Sequence, residues 1–163
     1  MDVTVIGIDP GGAHCGYAEV RYDGHDVTLG VWGEVALSTA KGRTALRAVL
    51  AAHPEAAVAC ERPYFDVAHA RGPRIGARIR AGQAATRARV EEMAEAAGLA
   101  VLPDVPTSTA KAALCHGGAS KEMMQRAAVA RFGVEMSEHA ADAAAVALAA
   151  IKQAARVGGG RRH

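Results

Sequence analysis

The sequence predicts an α/β fold, a five-stranded mixed sheet with helices on both faces. Three β-rich runs stand in a row at the N-terminus, and helical and strand-like segments alternate after them. The chain has 163 residues, enough for one compact core with little room for a second.

Val3 to Asp9 is a short β-rich run ended by the breaker Pro10-Gly11-Gly12. His14 to Tyr22 reads as a second strand, Tyr22-Asp23-Gly24 as a hairpin turn, and Val27 to Val35 as a third strand. Such a succession suggests an antiparallel meander. Ser38 or Thr39 is placed to cap a helix through about Ala52, with Leu46, Val49 and Leu50 on one face. His53-Pro54 ends that helix, and Ala57 to Cys60 is a short apolar strand. From about Pro73 to Ala97 the spacing is helical, with Gly98 as C-cap. Leu99 to Leu102 reads as a fifth strand stopped by Pro103. Helices are predicted over Thr107 to Leu114, Ser120 to Arg131 and Ser137 to Arg156. The run Gly158-Gly159-Gly160-Arg161-Arg162-His163 is expected to be a mobile tail, with 1–157 as a single domain.

Half of the residues are hydrophobic, which excludes a disordered chain, and aromatic residues make up only 4%. An apolar fraction dominated by Ala and Val predicts closely packed helices. A net charge of +2 does not by itself argue for nucleic acid. Its distribution says more: between Arg62 and Arg89 lie Arg71, Arg74, Arg78, Arg80 and Arg87, opposed only by Asp66. The three cysteines are far apart, with no CxxC or Cys/His zinc spacing, and read as reduced thiols, Cys60 within a buried strand. The N-terminus shows no basic-then-apolar leader, and no apolar run reaches the ~18 residues of a bilayer span. The expectation is a cytoplasmic enzyme or binding protein with no membrane partner.

Four residues carry the candidate chemistry. Asp9 ends the first strand and Glu61 ends the fourth. If those strands are parallel neighbours, both carboxylates emerge at one rim, where α/β sheets bind ligands. His139 and Asp142 are three residues apart on a predicted helix and point the same way. That helix is otherwise apolar from Ala140 to Leu148, so a charge beside it needs a partner. Oxygen ligands suit Mg²⁺ or Mn²⁺, and a His shifts the preference toward Mn²⁺. Two such ions can clamp the attacking water and the leaving oxygen of a phosphodiester. Taken singly, Asp9 also reads as a turn former, Glu61 as a rim charge, and His139 and Asp142 as charge and cap at a helix start. Their combination and order favour a metal-dependent nuclease.

In their order along the chain these residues resemble a known family. Val5-Ile6-Gly7-Ile8-Asp9-Pro10-Gly11, followed by Gly16-Tyr17, is similar to the opening of the RuvC Holliday-junction resolvases. Val58-Ala59-Cys60-Glu61 resembles their second acidic strand, with Tyr64 and Phe65 where the family has aromatic residues. Gly82-Gln83-Ala84 matches a stretch of the long helix. Lys111 and Lys121 bracket Gly117-Gly118-Ala119 as two family lysines do, and His139-Ala140-Ala141-Asp142-Ala143 is similar to the final motif. The resemblance spans roughly Val3 to Ala150. It departs at His139, where many members have Asp though some have His, and in an Arg-rich stretch from Arg62 to Arg80 that contains Pro63 and Pro73. A divergent or phage-type member would look like this.

The resemblance implies a ribonuclease-H-like fold and a homodimer that makes paired nicks in four-way DNA junctions, in recombination and repair. It also implies two Mg²⁺ ions, with Mn²⁺ supporting activity, and a branch-migration helicase as partner. Asp9, Glu61, His139 and Asp142 would hold the metal. Lys121 would contact the scissile phosphate and stabilise developing charge, and Lys111 would hold DNA. Arg71, Arg74, Arg78 and Arg80 are candidates for a phosphate path, with a solvated helix face as the alternative. Tyr64 is implied to stack on an unpaired base; Phe65 suits stacking or core packing equally. Rival readings are a related nuclease acting on flaps, forks or structured RNA, and a catalytically silent junction-binding module. An actin-like ATPase, suggested by Asp9-Pro10-Gly11-Gly12, needs a second lobe for which the chain has no room.

Overall fold

A computed structural model of the chain describes residues 2–62 and 73–159. Tyr64, Phe65 and Arg71 lie outside the described residues, as do residues 160–163 of the expected tail.

The strands are β1 (Val3–Asp9), β2 (Cys15–Tyr22), β3 (Val27–Val35), β4 (Ala57–Cys60) and β5 (Ala100–Val101). The helices are α1 (Ala40–Ala51), α2 (Pro73–Ala96), α3 (Thr107–Leu114), α4 (Lys121–Phe132) and α5 (Glu138–Gly159). Their order is the expected one. The sheet runs β3-β2-β1-β4-β5. β1, β2 and β3 form the antiparallel meander, while β4 is parallel to both β1 and β5. The fold is therefore a mixed α/β sheet.

Strand alternation sorts the side chains between two layers. Ile6 and Ile8 of β1 and Val58 and Cys60 of β4 pack with Leu46 and Leu50 of α1 and Val90 and Met93 of α2. Val5 and Ala59 face the other way, into a core with Val105, Ala110, Met124 and the apolar stretch of α5. Asp9 follows the parity of Val5, and Glu61 that of Ala59. Both acidic residues thus point toward α5.

At the glycines the closest approach is of helix to sheet. A Cβ on Gly7 would lie 2.0 Å from the Ala143 carbonyl oxygen, and one on Gly16 would lie 2.0 Å from that of His139. α5 rests directly on the backbones of β1 and β2 at these two glycines. This contact fixes the height of its first turns over the sheet.

Of the two candidate caps of α1, Thr39 is the one used, its hydroxyl accepting from the Gly42 amide at 3.0 Å. Two other boundaries differ from expectation. β5 is shorter than Leu99 to Leu102, although the Leu102 amide still donates to the Val58 carbonyl at 2.8 Å. Pairing resumes beyond Pro103: the Val105 amide donates to Cys60 at 2.9 Å and the Arg62 amide donates to Val105 at 2.8 Å. α5 continues past Arg156 into the glycine run, to Gly159. Gly98 ends α2 at φ +75°, as a C-cap glycine should. No helix among the described residues is long and apolar enough to cross a membrane.

Candidate active site

β1 and β4 are parallel neighbours in register, with Ile8 opposite Cys60. The next residue on each strand is Asp9 and Glu61, and the Glu61 amide donates to the Ile8 carbonyl at 2.8 Å. Two carboxyl groups are thereby placed side by side at the C-terminal rim, on the face that α5 covers. Asp9 is only 7% exposed. Its carboxyl is close enough to that of Glu61 to perturb it.

α5 contributes the other two residues from its first turns. Ser137 precedes the helix and accepts from the Ala140 amide at 3.3 Å, fixing the start. His139 then reaches across to β1, where its Nδ1 lies 2.6 Å from Asp9 Oδ2. Asp142, one turn on, lines a cleft of about 580 Å³ together with Glu61, Arg62, Thr107, Lys111 and Lys121. The four candidate ligands are therefore neighbours: Asp9 is hydrogen-bonded to His139, and the charges of Asp9 and Asp142 act on Glu61.

Electrostatics show the strain of this arrangement. Burial, then the charge of Asp9, push the Glu61 carboxyl up to about 8, while a hydrogen bond from Thr107 pulls the other way. Burial and the Asp9 charge also push Asp142 up to about 6, partly offset by Lys111. His139 is raised above the usual imidazole range, chiefly by its bond to Asp9. A cluster of half-buried carboxylates that hold protons is short of positive charge. Among the described residues no three His, Cys, Asp or Glu side chains stand in a ready ligand geometry. Asp9 is engaged with His139 and Glu61 instead. The donor set itself, carboxylate oxygens with one imidazole, fits a hard divalent cation.

Of the predicted DNA contacts, Lys111 and Lys121 line the cleft. Lys111 donates to the Ala119 carbonyl at 2.9 Å, which pins the glycine-rich turn before α4. Lys121 opens α4, is capped by Ser120, and pairs with Glu138. Arg74 and Arg78 are exposed on α2 and Arg80 is half-buried there; none of the three is among the described cleft residues. Arg62 and Thr107 line the cleft and Glu138 pairs with Lys121 beside it; none of the three was among the predicted residues. Only the pairing of Val105 beside Glu61 brings the start of α3 to the rim, and no local pattern announces that.

No family model matches the chain. No curated protein matches it either. Solved structures do. The chain is similar to RuvC of Thermus thermophilus, 25% identical, over 96% of this chain and 97% of that one, with a TM-score of 0.66. It is likewise similar to the T. thermophilus RuvC solved in complex with Holliday junction substrate, at 25% identity, 96% of each chain and a TM-score of 0.71. The chain is a divergent RuvC-like protein. Its sheet and helices are accordingly those of a ribonuclease-H-like fold. The strand order and the pairing of β1 with β4 that bring Asp9 and Glu61 together are part of that fold.

Proposed function

We propose that the protein is a metal-dependent endodeoxyribonuclease that resolves four-way DNA junctions, acting as a homodimer in recombination and repair. The reading is carried by the meeting of Asp9, Glu61, His139 and Asp142 beside a lysine-lined cleft. It is supported by likeness along nearly the whole chain to a RuvC whose solved complex contains a Holliday junction substrate. A cytoplasmic location and a branch-migration helicase as partner follow from the same reading.

Asp9, Glu61, Asp142 and His139 would hold two divalent ions, Mg²⁺ or Mn²⁺, which would supply Lewis acidity for phosphodiester hydrolysis. The protein's own groups prepare the site. Glu61 and Asp142 release the protons they retain without metal, and His139 presents a neutral imidazole held in orientation by Asp9. Lys121 meets the phosphate to be cut, and Lys111 and Arg62 flank it. Arg74, Arg78 and Arg80 on α2 extend the DNA surface, and the same reading assigns Tyr64, Phe65 and Arg71 to DNA contact. The product is a nick with 5′-phosphate and 3′-hydroxyl ends, and a dimer presents two sites for paired cuts.

The test is cleavage of a mobile four-way junction, with Mg²⁺ and Mn²⁺ assayed separately and flap, fork and RNA duplex substrates alongside. Paired nicking of the junction is expected, with Mn²⁺ at least as effective as Mg²⁺ because one ligand is neutral. Asp9→Asn should bind the junction but cut it about 10²-fold more slowly or worse, beyond what outer-shell changes at metal sites usually cost. Wild-type cutting by that variant removes the claim. Binding without cutting in either metal makes the chain a silent junction-binding module. Cutting only of flaps or RNA redirects the substrate.

A further inference from the structure

We propose that Glu138 holds Lys121 in check at the mouth of the cleft, and that substrate phosphate must displace this carboxylate to engage the lysine. The inference rests on the nuclease reading above and names a positioning residue in that site.

Lys121 is oddly placed for stability. It is the first residue of α4, where the helix dipole favours a negative charge and Glu122 already supplies one. A cation there gains nothing from its own helix. Its ammonium instead forms an ion pair with Glu138. Lys121 also feels the charge of Asp142, a candidate metal ligand, so it stands between the acid cluster and Glu138. The lysine lines the cleft, whereas Glu138 is not among the described cleft residues. The pair thus spans the rim, with its cation toward the substrate side.

Glu138 has an ordinary reason to be where it is, as an acidic residue in the first turn of α5. That reason does not require contact with another helix. The contact couples α4 to the turn of α5 that delivers His139 and Asp142. The side chains are 68% and 34% exposed, Lys121 and Glu138 respectively, so the pair is a weak, solvent-screened one that a phosphate can replace. An exposed pair of this kind corresponds to a factor of up to about five in competing affinity. The cost falls on DNA that seats a phosphate at Lys121, because only that phosphate has to displace Glu138.

The experiment is a double-mutant cycle over Glu138→Gln and Lys121→Ala. Binding of a synthetic four-way junction is measured in EDTA over a range of NaCl concentrations, and single-turnover cutting is measured with Mn²⁺. Glu138→Gln should tighten binding about two- to fivefold at low salt and steepen the salt dependence by about one phosphate contact. Lys121→Ala should slow cutting and should cancel the gain when combined with Glu138→Gln. A gain that survives in the Lys121→Ala background means Glu138 acts only as a general negative charge, and the inference fails. Unchanged binding and salt slope in Glu138→Gln also overturns it. If the wild-type chain neither binds nor cuts the junction, the nuclease reading has failed, a result distinct from either of these.

Discussion

Asp9 joins two side chains brought by two different elements, Glu61 from the end of β4 and His139 from α5. This crowding has a measurable consequence in the metal-free protein. The folded state holds a proton on Glu61 up to about pH 8 and on Asp142 up to about pH 6, against ordinary values of 4.5 and 3.8. A carboxyl whose pKa rises on folding contributes stability below its unfolded value and loses it as pH climbs through the folded one. In EDTA the melting temperature should therefore fall between pH 5 and pH 8. Saturating Mn²⁺ should raise it more at pH 8 than at pH 5, as the cation takes over from the protons. For a chain of this size each 1 kcal/mol moves the midpoint by about 2–4 °C, so a fall of several degrees is readable by scanning fluorimetry. A midpoint that rises over this range in EDTA would mean the acids are not crowded as described. At this scale the placement of Asp9, Glu61, His139 and Asp142 was readable, because strand ends and helical spacing point residues independently of what they meet. Thr107 and Glu138 were not readable, since their roles exist only against Glu61 and Lys121 on other elements.

α5 is the element on which the site hangs, and its seat is Gly7 and Gly16 rather than any polar contact. Putting a methyl at Gly7 would require the backbone of α5 to retreat from the Ala143 oxygen. Gly7→Ala is expected to destabilise by about 1–3 kcal/mol, the usual range for overpacking a core. It should also lower cutting, because the same retreat draws His139 and Asp142 away from Asp9. Gly82→Ala is the control: nothing lies within 4 Å of its Cβ position on α2, so it should gain about 0.5–1 kcal/mol from helix propensity. Urea unfolding of both variants decides the point, and equal effects would mean α5 is not seated on the glycines. Strand and helix order was legible because breakers such as Pro10-Gly11-Gly12 and Gly98 act locally. The layer contacts were not, and Glu19 illustrates why. This charged residue is fully buried at the register shift between Ala18 and Val20. Arg21 at 2.7 Å, His53 at 3.1 Å and the Val31 amide at 3.2 Å satisfy it. Gly30 leaves the room, since a Cβ there would lie 2.1 Å from Glu19 Oε2. Strand alternation predicts neither the bulge nor the partners.

The two layers of the molecule divide its labour. α5, α3 and α4 cover the face that bears the acids, while α1 and α2 close the back of the same strands. Cys15 and Cys60 sit in that back core, on β2 and β4, whereas Cys115 is exposed. Burial pushes the Cys60 thiol up to about 12 and Cys15 higher still, so neither supplies thiolate while the sheet is intact. Alkylation of the native protein should accordingly modify Cys115 alone, with Cys15 and Cys60 reacting only through openings of the whole fold. A divalent ion held, as proposed, by Asp9, Glu61, His139 and Asp142 would tie β1, β4 and α5 together from the other face. Any ligand that binds only the folded chain lowers the population of such openings, by about a hundredfold at a hundred times its dissociation constant. Mn²⁺ should therefore slow modification of Cys15 and Cys60 to the same extent and leave Cys115 unchanged, as followed by mass spectrometry. If Cys15 and Cys60 reacted as fast as Cys115, or Mn²⁺ slowed only one of them, the two faces would not open as one unit. The coupling between the site and the back core would then be lost.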